Sequence, residues 1–248
     1  MPYLVSKTLH GLELYKKQDT LIRIRMMLEE LKQIALDQNQ KLITEYPRQE
    51  GHGGLLFLGQ HYASSNILFL GLAPLIDDDS EFNANPLNSN ILLEGPSKRR
   101  YFRNASFAFK QNEQLQHKLE KATFCYCSPF KTKKWTELSL SRQNLFLEHS
   151  RPILNTIVEQ CQPEFLIVSG QETVDILSGY FGDIFTDFNE IENVDMDRSH
   201  RWTEYLFKIN GRPSVLIKAP NFSYASNKEK LFHLSNWLLE KISRSPYR

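Results

Sequence analysis

Four short apolar runs constrain this chain more than any other feature in it: 67–72 (ILFLGL), 123–127 (TFCYC), 164–169 (EFLIVS) and 214–218 (SVLIK). Each is too short for a typical helix and too uniformly apolar for a strand with one wet face. Each therefore predicts a strand covered on both sides. Helical patterns lie between the first three, the arrangement that builds a parallel sheet with helices on both faces. The fourth is approached differently. Residues 202–209, then Asn210-Gly211, then 214–218 read as a hairpin, which adds one antiparallel neighbour. The expected fold class is α/β: three layers, α/β/α, around a central and mainly parallel four-stranded sheet.

The flanks carry helices. Residues 1–18 read as an irregular start, and Asp19 is a candidate cap. Beyond it Ile24, Met27, Leu28, Leu31, Ile34 and Ala35 recur on one helical face. Pro47, Gly51, Gly53 and Gly54 then punctuate the chain before the core begins. Residues 1–60 are accordingly read as a helical amino-terminal extension and 61–248 as the α/β/α domain, the two making one compact unit. Near the other end, Ser226 and Glu229 have capping-box spacing, and Leu231, Leu234, Leu238 and Ile242 follow on one face. The stretch from Asp77 to Pro96 is polar and long for a connection inside a domain, which marks it as a functional loop.

Composition excludes more than it suggests. No apolar stretch approaches the roughly 20 residues of a membrane span, and the amino terminus has no basic-then-apolar leader pattern, so a cytoplasmic protein without membrane contact is expected. Three cysteines, Cys125, Cys127 and Cys161, are too few and odd in number for a disulfide scaffold. Cys125 and Cys127, two apart on a strand, share a face and read as core packing, with no further ligands to complete a metal site. A formal charge of +1 leaves nucleic-acid affinity to local patches. Two exist: Lys98, Arg99, Arg100 and Arg103, and Lys131, Lys133 and Lys134. A charge run is usually a solvated face, and each patch gains weight as a nucleic-acid contact only because it follows a candidate site loop. His52, His61 and His200 fall in no metal-ligand spacing, and Trp135, Trp202 and Trp237 read as core. Neither a zinc-deaminase signature nor a phosphate-binding G-x-x-x-x-G-K-[ST] loop is present.

Ligands of parallel sheets bind beyond the carboxyl ends of the strands. Those ends carry Gly71-Leu72-Ala73-Pro74, Ser128-Pro129-Phe130, Gly170-Gln171 and Pro220-Asn221-Phe222-Ser223. In this order they resemble the active-site stations of the uracil-DNA glycosylase superfamily. ILFLGLAP is similar to its first motif, an apolar strand running into G-x-x-P. APNFSYAS resembles its second motif, H-P-S in most branches and N-P-S-G-L-S in the mismatch-specific branch, with Asn221, Ser223 and Ser226 at matching positions. CYCSPF is similar to the second-strand segment, and LIVSG to the third strand. The resemblance covers about 66–238.

It implies a monofunctional glycosylase that flips a base out of DNA, hydrolyses the N-glycosidic bond and leaves an abasic site, as a monomer without cofactor, metal or iron–sulfur cluster. Positive charge grows on the sugar and negative charge on the departing base. Neutral donors aimed at the base and a group that positions water are therefore the useful chemistry. The resemblance makes Asn221 a catalytic donor. Gly71, Leu72, Ala73, Pro74, Phe82, Tyr126 and Ser128 become the base pocket, with Tyr101 and Phe102 as further stacking candidates. DNA contacts fall to Lys98, Arg99, Arg100, Arg103, Lys131, Ser223, Tyr224 and Ser226. Phe222 or Tyr224 would be the wedge that fills the emptied stack.

Two departures stand out. Several branches place Asp or Asn before the first-motif Pro to handle water; Ala73 cannot, which transfers the role to Asp77, Asp78 or Asp79. The amide that reads uracil corresponds to Tyr126, whose phenol lacks the paired donor and acceptor. Plain uracil is thereby disfavoured relative to a mismatched thymine, a damaged pyrimidine or a bulky modified cytosine. The superfamily includes a bacterial defence glycosylase acting on glucosylated hydroxymethylcytosine in phage DNA. The 77–96 loop, with Asn83, Asn85, Asn88 and Asn90, would suit such a sugar-bearing base. The same losses admit a second class of function, a binding module of this fold without chemistry.

Overall fold

The computed structural model describes residues 3–45, 65–73, 100–120, 122–130, 132, 134–195, 201–225 and 227–244. Among the described residues six strands form one sheet: β1 (Ile67–Gly71), β2 (Thr123–Tyr126), β3 (Phe165–Ser169), β4 (Phe185–Asp195), β5 (Arg201–Ile209) and β6 (Arg212–Ala219), in the order β2-β1-β3-β6-β5-β4. The four expected strands are β1, β2, β3 and β6, and they pair in parallel. The hairpin of β5 and β6 turns at Asn210 and Gly211, whose φ values of 49° and 77° are both positive, as a two-residue hairpin turn requires. The sheet is larger than the four parallel strands and one antiparallel neighbour, β5, that were expected. The addition is β4, which pairs antiparallel with β5 through two register shifts. Those shifts break the two-residue alternation of its apolar positions, so Phe185, Phe188, Ile191 and Val194 never spell a strand.

Six α-helices complete the described fold: α1 (Tyr3–Glu45), α2 (Arg100–Lys110), α3 (Glu113–Leu119), α4 (Leu140–Cys161), α5 (Gln171–Gly179) and α6 (Lys228–Ser243). Strand alternation sorts them into two layers. Leu68, Leu70, Cys125, Leu166, Val168 and Leu216 point to one face, where they meet buried residues of α1, α4 and α5. Ile67, Phe69, Phe124, Phe165, Ile167, Val215 and Ile217 point to the other, against α2, α3 and α6. Both faces of the parallel strands are thereby dry, which is why these strands could be so uniformly apolar.

Two local expectations change. The first helix begins at Tyr3, and Asp19 lies inside it rather than capping it. Residues 3–18 are mostly ordinary helix formers, interrupted by one Gly and no Pro, so nothing stops the helix there. α6 is capped by Asn227, whose side chain accepts from the Lys230 amide at 3.1 Å; Ser226 of the expected capping box lies outside the described residues. Leu231, Leu234, Leu238 and Ile242 do form the buried stripe of α6. On the opposite layer, Leu31 and Ala35 of α1 are fully buried and Leu42 nearly so, in one cluster with the strands. Cys125, Cys127 and Cys161 are free thiols inside the protein. Burial pushes Cys127 and Cys161 up to about 12 and Cys125 well above its ordinary value.

Candidate functional site

Strand order places the site. The chain leaves β1 through α2 and α3 on one face to reach β2, then returns through α4 on the other face to reach β3. β2 and β3 flank β1, so the two connections diverge above its carboxyl end and leave a crevice. Residues following β1, β2, β3 and β6 therefore lie along one edge of the sheet.

At the β1–β2 end, backbone bonds extend the pairing: the Cys127 amide donates to Gly71 O at 2.9 Å and the Ser128 amide to Leu72 O at 3.0 Å. The Tyr126 ring lies over Gly71 so closely that a Cβ there would meet Tyr126 Cδ1 at 2.7 Å. Tyr126 is in turn held edge-on by Phe124. Tyr126, expected in the base pocket, is thus packed on its neighbouring strand and buried. Leu72 and Ala73 are half-buried against the α1–α4 core, and Ser128 is fully buried, its Oγ without a hydrogen-bond partner among the described residues. Pro74, Asp77, Asp78, Asp79 and Phe82, with the rest of the 77–96 loop and Asn83, Asn85, Asn88 and Asn90, lie outside the described residues.

At the β3–β6 end the two strands are stitched together. The Gly170 amide donates to Ala219 O at 3.1 Å, and Ser169 Oγ to Pro220 O at 3.3 Å. Gly170 has φ 86°, a left-handed conformation that suits glycine, and a Cβ there would lie 3.9 Å from Asn221 Cβ. Asn221 then organises the loop that follows. Its Oδ1 accepts from the Ser223 amide at 3.0 Å, and its carbonyl accepts from the amides of Tyr224 and Ala225 at 2.9 and 3.1 Å. This is the turn chemistry of asparagine. Only the carboxamide Nδ2 is left, among the described residues, to donate to a ligand.

The loop is held from below by α2. Asn104 Nδ2 donates to Phe222 O at 2.7 Å, and Phe222 is fully buried with its ring edge-on to Tyr101 and Phe109. Phe222 is therefore core and no wedge. Tyr224, 69% exposed, is the exposed aromatic ring of this loop. Tyr101 is half-buried beside Phe222 and Phe102 is buried, so the structure uses both as packing. Burial pushes the Tyr101 phenol well above its ordinary range, with the Ser169 hydroxyl opposing in part.

Of the first basic patch, Arg100 and Arg103 are described. Both are exposed on α2, the helix that also carries Tyr101 and Asn104 to the 221–225 loop. Lys98, Arg99, Lys131, Lys133 and Ser226 lie outside the described residues. Lys134 is exposed and bonded to Glu137 at 3.1 Å. Ser223 is half-buried in the turn.

Sequence reasoning missed the polar wall of this end. A pocket of about 340 Å³ opens between the ends of β3 and β6, lined by Gly170, Gln171, Arg201, Lys218, Asn221 and Tyr224. Lys218, only 7% exposed, donates through Nζ to Gln171 Oε1 at 2.8 Å. A lysine closing the apolar run SVLIK was the available signal; Arg201, at the start of β5, had none. One residue past Gln171, Glu172 sits in the first turn of α5, its carboxyl held above the ordinary range by burial and then by Asp175. It is a carboxylate near the strand ends that the motifs did not mark.

Among the described residues, no helix is long and apolar enough to cross a membrane, and no group of three or more His, Cys, Asp or Glu is placed to hold a metal ion. A scan against models of known protein families finds no match to the chain, and a search of curated proteins finds none either.

Proposed function

We propose that this chain is a cytoplasmic, monomeric DNA glycosylase that hydrolyses the N-glycosidic bond of an extruded base and leaves an abasic site. One observation supports the reading above the others. Segments that resemble the glycosylase stations only as separate short motifs, 71–73, 126–128, 169–171 and 220–225, lie along one edge of the sheet and are hydrogen-bonded in pairs. Asn221 supplies the donor for the leaving base through Nδ2 while its oxygen fixes the loop. Tyr224 braces the opened stack, and Arg100 and Arg103 hold phosphates beside it. Water is positioned by one of Asp77, Asp78 and Asp79, or by Glu172. Tyr126 packs on Gly71 where an amide would read uracil, which favours a base other than uracil: a thymine mismatch, a damaged pyrimidine or a modified cytosine of phage DNA.

The same packing favours a second reading, a DNA- or protein-binding module without chemistry, because Ala73 and Tyr126 both lack the groups that the reaction uses. A base-release panel separates the two. Oligonucleotides bearing uracil, mismatched thymine or hypoxanthine, and phage DNA with glucosylated hydroxymethylcytosine, are incubated with the protein and then treated with alkali. Strand breaks at one modified position support the enzyme. Intact strands throughout the panel leave the binding module.

A further inference from the structure

The pocket between the ends of β3 and β6 adjoins the proposed base pocket at Asn221, which also lines it. Its inner wall is Lys218, a charged group that is almost wholly buried yet borders open space. Its outer wall is the exposed Arg201, across the β5–β6 pair, and its rim is the exposed Tyr224 ring. Gly170 and Gln171, at the start of α5, also line it, and among the described residues no side chain caps that helix start. Two cations and an exposed aromatic ring thus line one small volume. A volume of about 340 Å³ is at the small end of ligand sites, which run roughly 300–1,000 Å³.

Those groups select a ligand class. An ammonium bordering that volume attracts an anion placed in it. A guanidinium recognises phosphate oxygens in a fork that a point charge cannot reproduce. An exposed aromatic ring offers a face to a base of any sequence. We infer that this pocket binds one nucleotide unit of a DNA strand, its phosphate on Lys218 and Arg201 and its base against Tyr224. The identity of the polymer rests on the glycosylase reading; the phosphate chemistry rests on the pocket alone. Bound there, a nucleotide next to the extruded one would fix the strand's position before the base is released.

The test uses the full chain and a short fluorescein-labelled oligothymidylate, with thymidine monophosphate, thymidine and inorganic phosphate as competitors. Arg201→Ala should weaken binding about tenfold or more and lower the salt slope by about one. Tyr224→Ala should weaken it about fivefold or more. Lys118→Ala, an exposed cation on α3 away from the pocket, should bind as wild type. Lys218→Met tests the inner wall if its melting shows it folded, and Arg201→Ala carries the test if it does not. Thymidine monophosphate should displace the oligonucleotide and thymidine should not. Unchanged affinity and slope in Arg201→Ala would overturn the inference, as would thymidine competing as well as its monophosphate. Inorganic phosphate competing as well as the monophosphate would reduce the site to an anion hole and overturn the nucleotide assignment. A free monophosphate binding as tightly as the oligonucleotide would overturn the strand assignment. Base release from duplex DNA is measured on the same proteins. Release with wild-type binding by Arg201→Ala sinks this inference alone, and weakened binding without release by any protein sinks the glycosylase reading alone.

Discussion

Asn221 has two hydrogen-bonding ends, and the fold has committed one of them. Because Oδ1 accepts from the Ser223 amide, Asn221→Ala removes a turn bond as well as any donor to a leaving base. That variant should lose about 1 kcal/mol of stability and so cannot isolate the chemistry. Asn221→Asp can: a carboxylate still accepts from Ser223 but no longer donates, and it adds repulsion where negative charge would arrive. It should melt near wild type and release base about 100-fold more slowly. Wild-type release by Asn221→Asp would remove Asn221 from the reaction and leave it as a loop organiser. Gly71 makes the complementary case. In the sequence it belongs to a G-x-x-P motif, but its reason lies across the strand pair, in the Tyr126 ring that a Cβ would meet at 2.7 Å. Gly71→Ala should therefore cost about 1–3 kcal/mol in urea unfolding, and adding Tyr126→Leu should restore part of it. A near-neutral Gly71→Ala would show that the ring yields. The Gly71–Tyr126 packing was illegible because the two residues are far apart in the chain.

At the scale of elements, what could be read was whatever repeats locally. The apolar runs gave β1, β2, β3 and β6, and the Asn-Gly turn gave the hairpin, because each is specified by its own residues. β4 was missed because its register shifts scramble its pattern, and Lys241 because a lysine late in a helix looks solvated. It is buried instead, at 4% exposure, bridging α6 to the strand pair through Glu192 on β4 and Glu204 on β5, the latter at 2.6 Å; Trp237 Nε1 also donates to Glu192 at 3.2 Å. The Lys241 hydrogen bond first, then that of Trp237, holds the Glu192 carboxyl below its ordinary range. Burial pulls Lys241 down, but its bonds to Glu192 and Glu204 outweigh it and the ammonium ends above its usual value. A depressed carboxyl contributes stability above the unfolded carboxylate range and loses it as pH falls through the folded value. A raised ammonium contributes fully below the unfolded lysine value and loses it as pH rises through the folded one. Glu192→Gln should thus lower the melting temperature by about 2–4 °C at neutral pH, with the gap closing below about pH 4. A gap that persists at low pH would mean that Glu192 acts through packing, not charge.

For the molecule as a whole, the three layers followed from the strand runs, but the reach of the amino-terminal helix did not. Its stripe announced an amphipathic helix without naming the surface that would cover it. In the structure that surface is α4 and, beneath it, the sheet: Leu31, Ala35 and Leu42 share one buried cluster with Leu68, Leu70, Cys125, Leu166 and Leu216. Polar ties run alongside, with Gln160 Nε2 donating to Met27 O at 3.1 Å and His149 Nδ1 meeting Gln38 Oε1 at 3.1 Å. If the second half of α1 is core and not an appendage, removing atoms from it must lower the stability of the sheet itself. Leu31→Ala should cost about 2–5 kcal/mol, the range for a fully buried leucine. The loss should appear in one cooperative transition, seen equally by helix signal and, in a background with Trp135 and Trp237 changed to Phe, by the fluorescence of Trp202, buried on the opposite face against α6. An independent extension behaves otherwise. Its helix signal would melt early in Leu31→Ala while the Trp202 transition stayed at the wild-type temperature, and that separation would detach α1 from the domain.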